Sequence, residues 1–186
     1  SNGSDRPVLP YYGESENNVT APSNTTSSWS VYAETASSGP KCFLPGSWCV
    51  KDDGAQVCVE DLKLGDLLQG PEGSARVSEV YPRPPNHRQI IEVTMASESG
   101  NVQLKVTGNH RVVLQNWGYK KAADLIIGDV VSTSAGDLQI SQISTCSLLT
   151  SVIEVSFEAD HSVYLQMDFA SAVSVAVFGT QQPIPD

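Results

Sequence analysis

Three side chains, Cys42, Thr107 and His110, have the chemistry and spacing for a reaction at a peptide bond. A cysteine can attack the carbonyl of the preceding residue through a five-membered ring, which would convert the Lys41–Cys42 amide into a thioester. Because a peptide nitrogen leaves poorly until it is protonated, a nearby imidazole can serve as general acid. A threonine hydroxyl can polarise or orient the same amide. Thr107 and His110 end an apolar strand, where a loop can present both side chains.

The same residues also have structural interpretations. A lone cysteine is most often a buried thiol, because free Cys behaves as a small apolar residue. Cys42 lies where polar, low-complexity sequence gives way to folded sequence, and this position favours a nucleophile. A lone His110 would more often be a surface or hydrogen-bonded core residue, whereas its combination with Thr107 favours catalysis. The other three cysteines are predicted to be structural: Cys49, Cys58 and Cys146.

The chain divides by composition at Lys41. Residues 1–40 are predicted to be a disordered flank, because large apolar residues are too few to offset the entropy of ordering. N-glycosylation sequons at Asn2, Asn18 and Asn24 favour a secretory route for this flank. Residues 41–186 are predicted to form a single folded domain.

The folded part is predicted to be all-β, since short apolar stretches alternate with turn dipeptides along it. The predicted strands are rich in Val, Ile and Leu: Val57–Val59, Arg76–Tyr81, Gln89–Met95, Val102–Val106, Arg111–Leu114, Val130–Ser132, Leu138–Ile143, Val152–Phe157 and Ser162–Leu165. Helical periodicity is confined to about two turns near Ala122–Leu125. His87 falls in a Pro-rich segment that we expect to be a surface loop.

An internal repeat strengthens this interpretation. The segment Asp61–Leu68 reappears as Asp124–Val131, offset by 63 residues. In each copy an Asp-Leu pair leads into a Gly-Asp turn and then into an apolar strand. Glycine permits a positive φ and the aspartate can bond turn amides, so Asp66 and Asp129 are predicted to be turn residues. The two copies predict two similar subdomains related by a pseudo-two-fold axis.

Composition argues against several classes of function. The net charge is −10, and the 11 Lys and Arg residues are scattered, which argues against a nucleic-acid partner. No apolar run is long enough to cross a membrane. The cysteines contain no CxxC pair, which argues against a zinc knuckle or a thioredoxin-type site. We expect a monomer that requires no metal and no organic cofactor.

Four segments resemble, in order, the motifs of the Hint domain, the module shared by Hedgehog C-terminal domains and inteins. Cys42–Ser47 resembles the opening motif, and Glu60–Leu68 resembles the strand that follows it. Leu104–Val113 resembles the T-x-x-H segment, and Val152–Val163 resembles a late segment that contains a His. The resemblance implies an all-β Hint fold, a flattened horseshoe of short strands with pseudo-two-fold symmetry.

The resemblance also implies roles for individual residues. Cys42 is the nucleophile, and Thr107 and His110 activate the peptide bond before it. Glu154 falls where many inteins have an Asp, so it either helps to deprotonate Cys42 or relay protons, or is an outward-facing strand residue. His161 matches the late His of the family, which is either catalytic or satisfies polar groups near the site.

The sequence also departs from the family. Splicing inteins end in His-Asn, and no His-Asn follows His161, so we expect cleavage on the N-terminal side alone, as in Hedgehog-type domains. The segment after His161 is too short to enclose a sterol, so water or a small nucleophile is the expected acyl acceptor, with the N-terminal flank as substrate. Lys41 stands where Hedgehog proteins have Gly. The alternative is a Hint-like domain that has lost its activity and serves as a binding or display module.

Overall fold

The computed structural model describes residues 42–116 and 118–180. These residues belong to one compact unit that spans Pro40–Asp186. The flank predicted to be disordered, residues 1–40, lies outside the described residues. In the part of the chain that is described, no helix is both long and apolar enough to cross a membrane.

Most of the described residues lie in β-strands, which confirms the predicted fold class. Eleven strands form one sheet: β1 (Trp48–Val50), β2 (Gln56–Cys58), β3 (Leu67–Gly70), β4 (Gly73–Ser97), β5 (Gly100–Thr107), β6 (Arg111–Val113), β7 (Tyr119–Lys121), β8 (Val130–Thr133), β9 (Gly136–Phe157), β10 (Ser162–Gln166) and β11 (Val175–Phe178). The helical signal near Ala122–Leu125 corresponds to a 3₁₀ helix at Ala122–Asp124, and a second 3₁₀ helix occupies Val59–Asp61.

The sheet is ordered β2-β1-β10-β11-β8-β9-β4-β3, with β5 paired to β4, and β6 paired to both β11 and β7. The pairs are antiparallel throughout this order. Buried Val, Ile and Leu side chains from nearly every strand form the main core, together with Phe43 and Met95. A second, small cluster contains Cys42, Leu44, Ile90 and Val152.

Two strands are much longer than the sequence predicted. β4 has 25 residues and β9 has 22, and they pair with each other along most of their length. The loop predicted around His87 is therefore wrong, although the side chain is exposed as expected. The strand passes Pro84 and Pro85 by a register shift between the pairs Arg83↔Val152 and Asn86↔Thr150. A bulge of this kind accommodates prolines, which cannot donate to the ladder.

The repeat is present in three dimensions, with the predicted offset of 63 residues. The first copy runs from the 3₁₀ helix at Val59–Asp61 through β3 into β4, and the second runs from the helix at Ala122–Asp124 through β8 into β9. The flanking strands obey the same offset, because β1 corresponds to β6 and β2 corresponds to β7. The two copies therefore extend well beyond the eight-residue sequence repeat, as pseudo-two-fold symmetry of the fold requires.

The two Gly-Asp turns use the same chemistry. Gly65 and Gly128 have φ of 89° and 101°, in the left-handed region that favours glycine. The Asp66 carboxylate accepts from the Lys63 amide at 2.9 Å. The Asp129 carboxylate accepts from the Ile126 amide at 3.0 Å. Both aspartates thus close their turns, as the sequence predicted.

Candidate active site

The first described residue, Cys42, lies between two strands. The Phe43 amide donates to the Ile153 carbonyl at 2.9 Å, and the Ile153 amide donates back at 3.0 Å. On its other side Phe43 forms an antiparallel bridge with Val106 of β5. In antiparallel pairing the neighbours of a bridged pair also face each other, so this register sets Cys42 opposite Glu154 of β9 and opposite Thr107 of β5. Three distant parts of the chain meet at this cysteine.

Thr107 contacts the peptide nitrogen of Cys42, which is the nitrogen of the Lys41–Cys42 bond. The Cys42 amide donates to Thr107 Oγ1 at 3.1 Å. The same hydroxyl lies 3.4 Å from the Cys42 carbonyl oxygen, to which it can donate. Thr107 is buried, so this hydroxyl is held against the backbone on the side of Cys42 away from β9.

His110 lies on the same side of Cys42. A tight turn brings it there, since the His110 amide donates to the Thr107 carbonyl at 3.1 Å. Its ring is fully buried, with Nδ1 3.0 Å from the Cys42 carbonyl oxygen and Nε2 2.6 Å from the Phe178 carbonyl oxygen. The Phe43 ring packs edge-on against it at 4.7 Å between centroids.

The two oxygens that face His110 have a chemical consequence. Backbone carbonyl oxygens accept hydrogen bonds and cannot donate them. A neutral imidazole has one N–H and can satisfy one of the two oxygens, whereas the imidazolium satisfies both. This arrangement therefore suits the protonated ring, which is the form that can give a proton to a departing amide nitrogen.

The end of β11, which supplies the Phe178 carbonyl, is fixed by Arg111. The guanidinium makes two hydrogen bonds to the Asp160 carboxylate at 2.7 and 2.8 Å. It also donates to the Gly179 carbonyl at 3.2 Å and lies over the Phe178 ring at 4.4 Å from its centroid. Arg111 thus holds the strand end whose carbonyl orients His110.

The Cys42 thiol is buried among apolar side chains and is influenced by nearby charges. The residue is 0% exposed and packs with Ile90 and Val152. Burial, and then the carboxylate of Glu154, raise the pKa of Cys42 to about 12, while Arg88 and Arg83 act in the opposite direction. The thiol is therefore neutral near pH 7, and any nucleophilic role requires that its proton be removed during the reaction.

Of the five candidates from the sequence, the structure brings four together. Cys42, Thr107 and His110 are in hydrogen-bond contact, and Glu154 faces Cys42 across the strand pair. His161 is placed differently. Its Nδ1 lies 3.9 Å from the Glu72 carboxylate.

The remaining cysteines differ in their exposure. All four cysteines of the chain are free thiols. Cys49 is buried in the core and Cys58 is partly buried. Cys146 is exposed on β9, which differs from the structural role that the sequence predicted for it. Among the described residues, no group of three or more His, Cys, Asp or Glu side chains is arranged to hold a metal ion.

Two charged residues near the thiol, Arg83 and Arg88, were missed by the sequence analysis. Arg83 forms an ion pair with Glu154, and both arginines influence the Cys42 thiol. Both residues flank a pair of prolines, which indicated a surface loop. Charged residues beside Pro-Pro in a strand-rich region could have suggested a bulge, and bulges often redirect side chains toward a site.

No family model matches the sequence, and no curated protein does. Solved structures do match in fold. A bacterial intein-like domain from Clostridium thermocellum superposes with a TM-score of 0.60 at 21% identity, covering 75% of this chain and 99% of that chain. The Ssp DnaB mini-intein variant M86 gives 0.60 at 15% identity, with 76% and 95% covered. The gp41-1 intein gives 0.58 at 15% identity, with 75% and 98% covered. From its strand order, its repeat and these structural matches, the chain has the Hint fold that inteins also have.

Proposed function

We propose that this domain cleaves its own chain between Lys41 and Cys42 and releases the N-terminal flank. The observation that carries the proposal is the hydrogen bond from the Cys42 amide, the nitrogen of that bond, to the Thr107 hydroxyl at 3.1 Å. His110 Nδ1 lies 3.0 Å from the Cys42 carbonyl oxygen, so a hydroxyl and an imidazole converge on the backbone of Cys42. The likeness to inteins and to an intein-like domain agrees with a self-processing role.

The proposed reaction has two stages. In the first, the Cys42 thiol loses its proton and its sulfur attacks the Lys41 carbonyl carbon. The carbon–nitrogen bond breaks as the nitrogen gains a proton, which leaves a thioester between Lys41 and the Cys42 sulfur and a free amino group on Cys42. In the second, water or a small nucleophile attacks the thioester, which frees the flank and regenerates the thiol.

The surrounding groups have distinct parts in this proposal. His110, in the protonated form that its two carbonyl partners suit, supplies the proton to the leaving nitrogen. Thr107 holds the amide in position and polarises it. Glu154 faces the thiol from the other side and is a candidate acceptor for its proton. The proposal is N-terminal cleavage without splicing.

The test uses the full chain with a different tag at each end, incubated with dithiothreitol or hydroxylamine and followed by intact mass. Two fragments separated between Lys41 and Cys42 are expected, and hydroxylamine should leave a hydroxamate on Lys41. A Cys42→Ala chain should stay whole. Cys146→Ala is the matched control, since it removes an exposed thiol and leaves Cys42 in place, and it should cleave as the wild type does.

A second candidate function, a silent binding or display module, is favoured by one specific observation. The Cys42 thiol is fully buried and its raised pKa of about 12 keeps it protonated near neutral pH. A wild-type chain that remains intact under all thiol conditions, in a folded state, would favour this second function over the first.

A further inference from the structure

The side of Cys42 opposite Thr107 and His110 carries a cluster of charges. The backbone pairing of Phe43 with Ile153 sets Cys42 across from Glu154, so their side chains leave the sheet on the same face. Arg83 faces Val152 in the β4–β9 ladder, one diagonal step from Glu154 on that face. The Arg83 guanidinium is hydrogen-bonded to the Glu154 carboxylate, whose side chain is 13% exposed. One carboxylate and one guanidinium thus border the thiol.

The bulge at Pro84 and Pro85 fixes these charges in place. It shifts the register between Arg83 and Asn86, and a shift of this kind bends the strand locally. Arg88, beyond the bulge, donates to the Pro84 carbonyl at 2.9 Å and to the Thr150 carbonyl at 3.1 Å. Arg88 therefore ties the bulge to β9, and its charge remains near the thiol.

These charges act on the thiol in opposite directions. The negative charge of Glu154 opposes formation of a thiolate at Cys42, and the positive charges of Arg88 and Arg83 favour it. Among the described residues, His110 also contacts Cys42, on the β5 side. Without Arg83, the Glu154 carboxylate would face the buried sulfur unpaired, and a negative sulfur beside it would be strongly disfavoured.

We propose that Arg83 is a positioning residue that offsets the charge of Glu154 beside the Cys42 thiol, so that the sulfur can become an anion. The proposal rests on the proposed self-cleavage for its biological purpose. The charge relation itself exists whether or not the chain cleaves. Arg83 acts through the carboxylate that it pairs with.

The test compares four variants of the full chain: Arg83→Gln, Arg83→Lys, Glu154→Gln and the double variant Arg83→Gln/Glu154→Gln. The first readout is the alkylation of Cys42 by iodoacetamide at pH 8 on uncleaved chain, located by tandem mass spectrometry. Cys49 is the internal control, because it is also fully buried with its pKa raised to about 12 by burial first, and then by Cys58. The ratio of alkylation at Cys42 to that at Cys49 removes differences in global opening.

The expected ratios follow from the charges. Arg83→Gln lowers the ratio about 3- to 30-fold, which corresponds to roughly one pKa unit for a partly exposed pair. Arg83→Lys, which keeps the charge, retains most of the wild-type value. Glu154→Gln raises the ratio, and the double variant returns to within about 3-fold of the wild type. If the role of Arg83 were merely structural, removal of its partner Glu154 would not restore the alkylation ratio.

The second readout separates this proposal from the proposed function. In dithiothreitol, Arg83→Gln should slow cleavage at Lys41–Cys42 by the same factor at each pH between 7 and 9. If wild-type chain never cleaves while the alkylation ratios behave as expected, self-cleavage is wrong and the role of Arg83 stands. An unchanged ratio in Arg83→Gln overturns the role of Arg83. Should that variant fail to fold, an unchanged or lower ratio in Glu154→Gln would overturn it instead.

Discussion

Replacement of Thr107 by valine removes one hydroxyl from the candidate site and preserves the shape of the side chain. That hydroxyl accepts from the Cys42 amide at 3.1 Å and lies 3.4 Å from the Cys42 carbonyl oxygen. Thr107 is 5% exposed, so water has little access to the groups that the valine would leave behind. The variant therefore isolates the contribution of a single buried oxygen to folding and to cleavage.

The magnitude has two parts. A buried amide left without its acceptor costs about 1–3 kcal/mol of folding free energy. Loss of a group that polarises the reacting amide costs about 100-fold or more in rate where such a group acts fully, so a 10- to 100-fold slower cleavage is expected for a neutral hydroxyl. That range equals about 1.4–2.8 kcal/mol of barrier. The rate should fall even at temperatures where the variant is fully folded.

The assay is a time course of intact mass in dithiothreitol, at a temperature at least 15 °C below the unfolding midpoint of each variant, together with calorimetry. Thr107→Ser, which keeps the hydroxyl, is the matched control and should cleave within a few-fold of the wild type. The reasoning is refuted if Thr107→Val loses stability and yet cleaves at the wild-type rate. In that case the hydroxyl would serve the fold alone.

Two further predictions concern stability. Because burial raises the pKa of Cys49 to about 12 from the 9.0 of a free thiol, its contribution to folding is present below pH 9 and is lost as the pH rises from 9 to 12. Cys49→Ala should therefore reduce the fall in urea-unfolding free energy above pH 9, and the fall that remains should be the share contributed by Cys42. A fall as steep as in the wild type would argue against this role of Cys49. Gly65→Ala and Gly128→Ala force the same strain into equivalent turns, so each should cost about 1–2 kcal/mol in urea melts. Costs that differ by much more than about 0.5 kcal/mol would contradict the equivalence of the two turns.

The sequence was most informative where local chemistry dictates structure. The Gly-Asp turns predicted β3, β8 and the pseudo-two-fold repeat, because positive φ and turn amides impose the same residue types in both copies. Short strands such as β1 and β7 were missed, since three residues are too few for a periodic pattern. β11 was missed as well. Its alternation is weak because three of its four residues are buried, so both faces are apolar.

The candidate site was predictable on one side of Cys42 and hidden on the other. Thr107 and His110 stand in one short motif, so their proximity could be inferred from spacing alone. Arg83 reaches Glu154 only because β4 and β9 pair across some 70 residues of sequence, and Pro84 and Pro85 suggested a loop where the strand continues. His161 had the right residue type in the right motif, and yet its contact is with Glu72.

The cross-pairing of β4 with β9 bears on how this domain can be divided. β4 begins in the first copy of the repeat and β9 begins in the second, and each forms most of its ladder pairs with the other. A fragment carrying a single copy would therefore expose a long, unsatisfied β-edge and would lack one of the two strands that flank Cys42. Two separately expressed fragments should be inert alone and should associate strongly when mixed, since each is the missing sheet neighbour of the other.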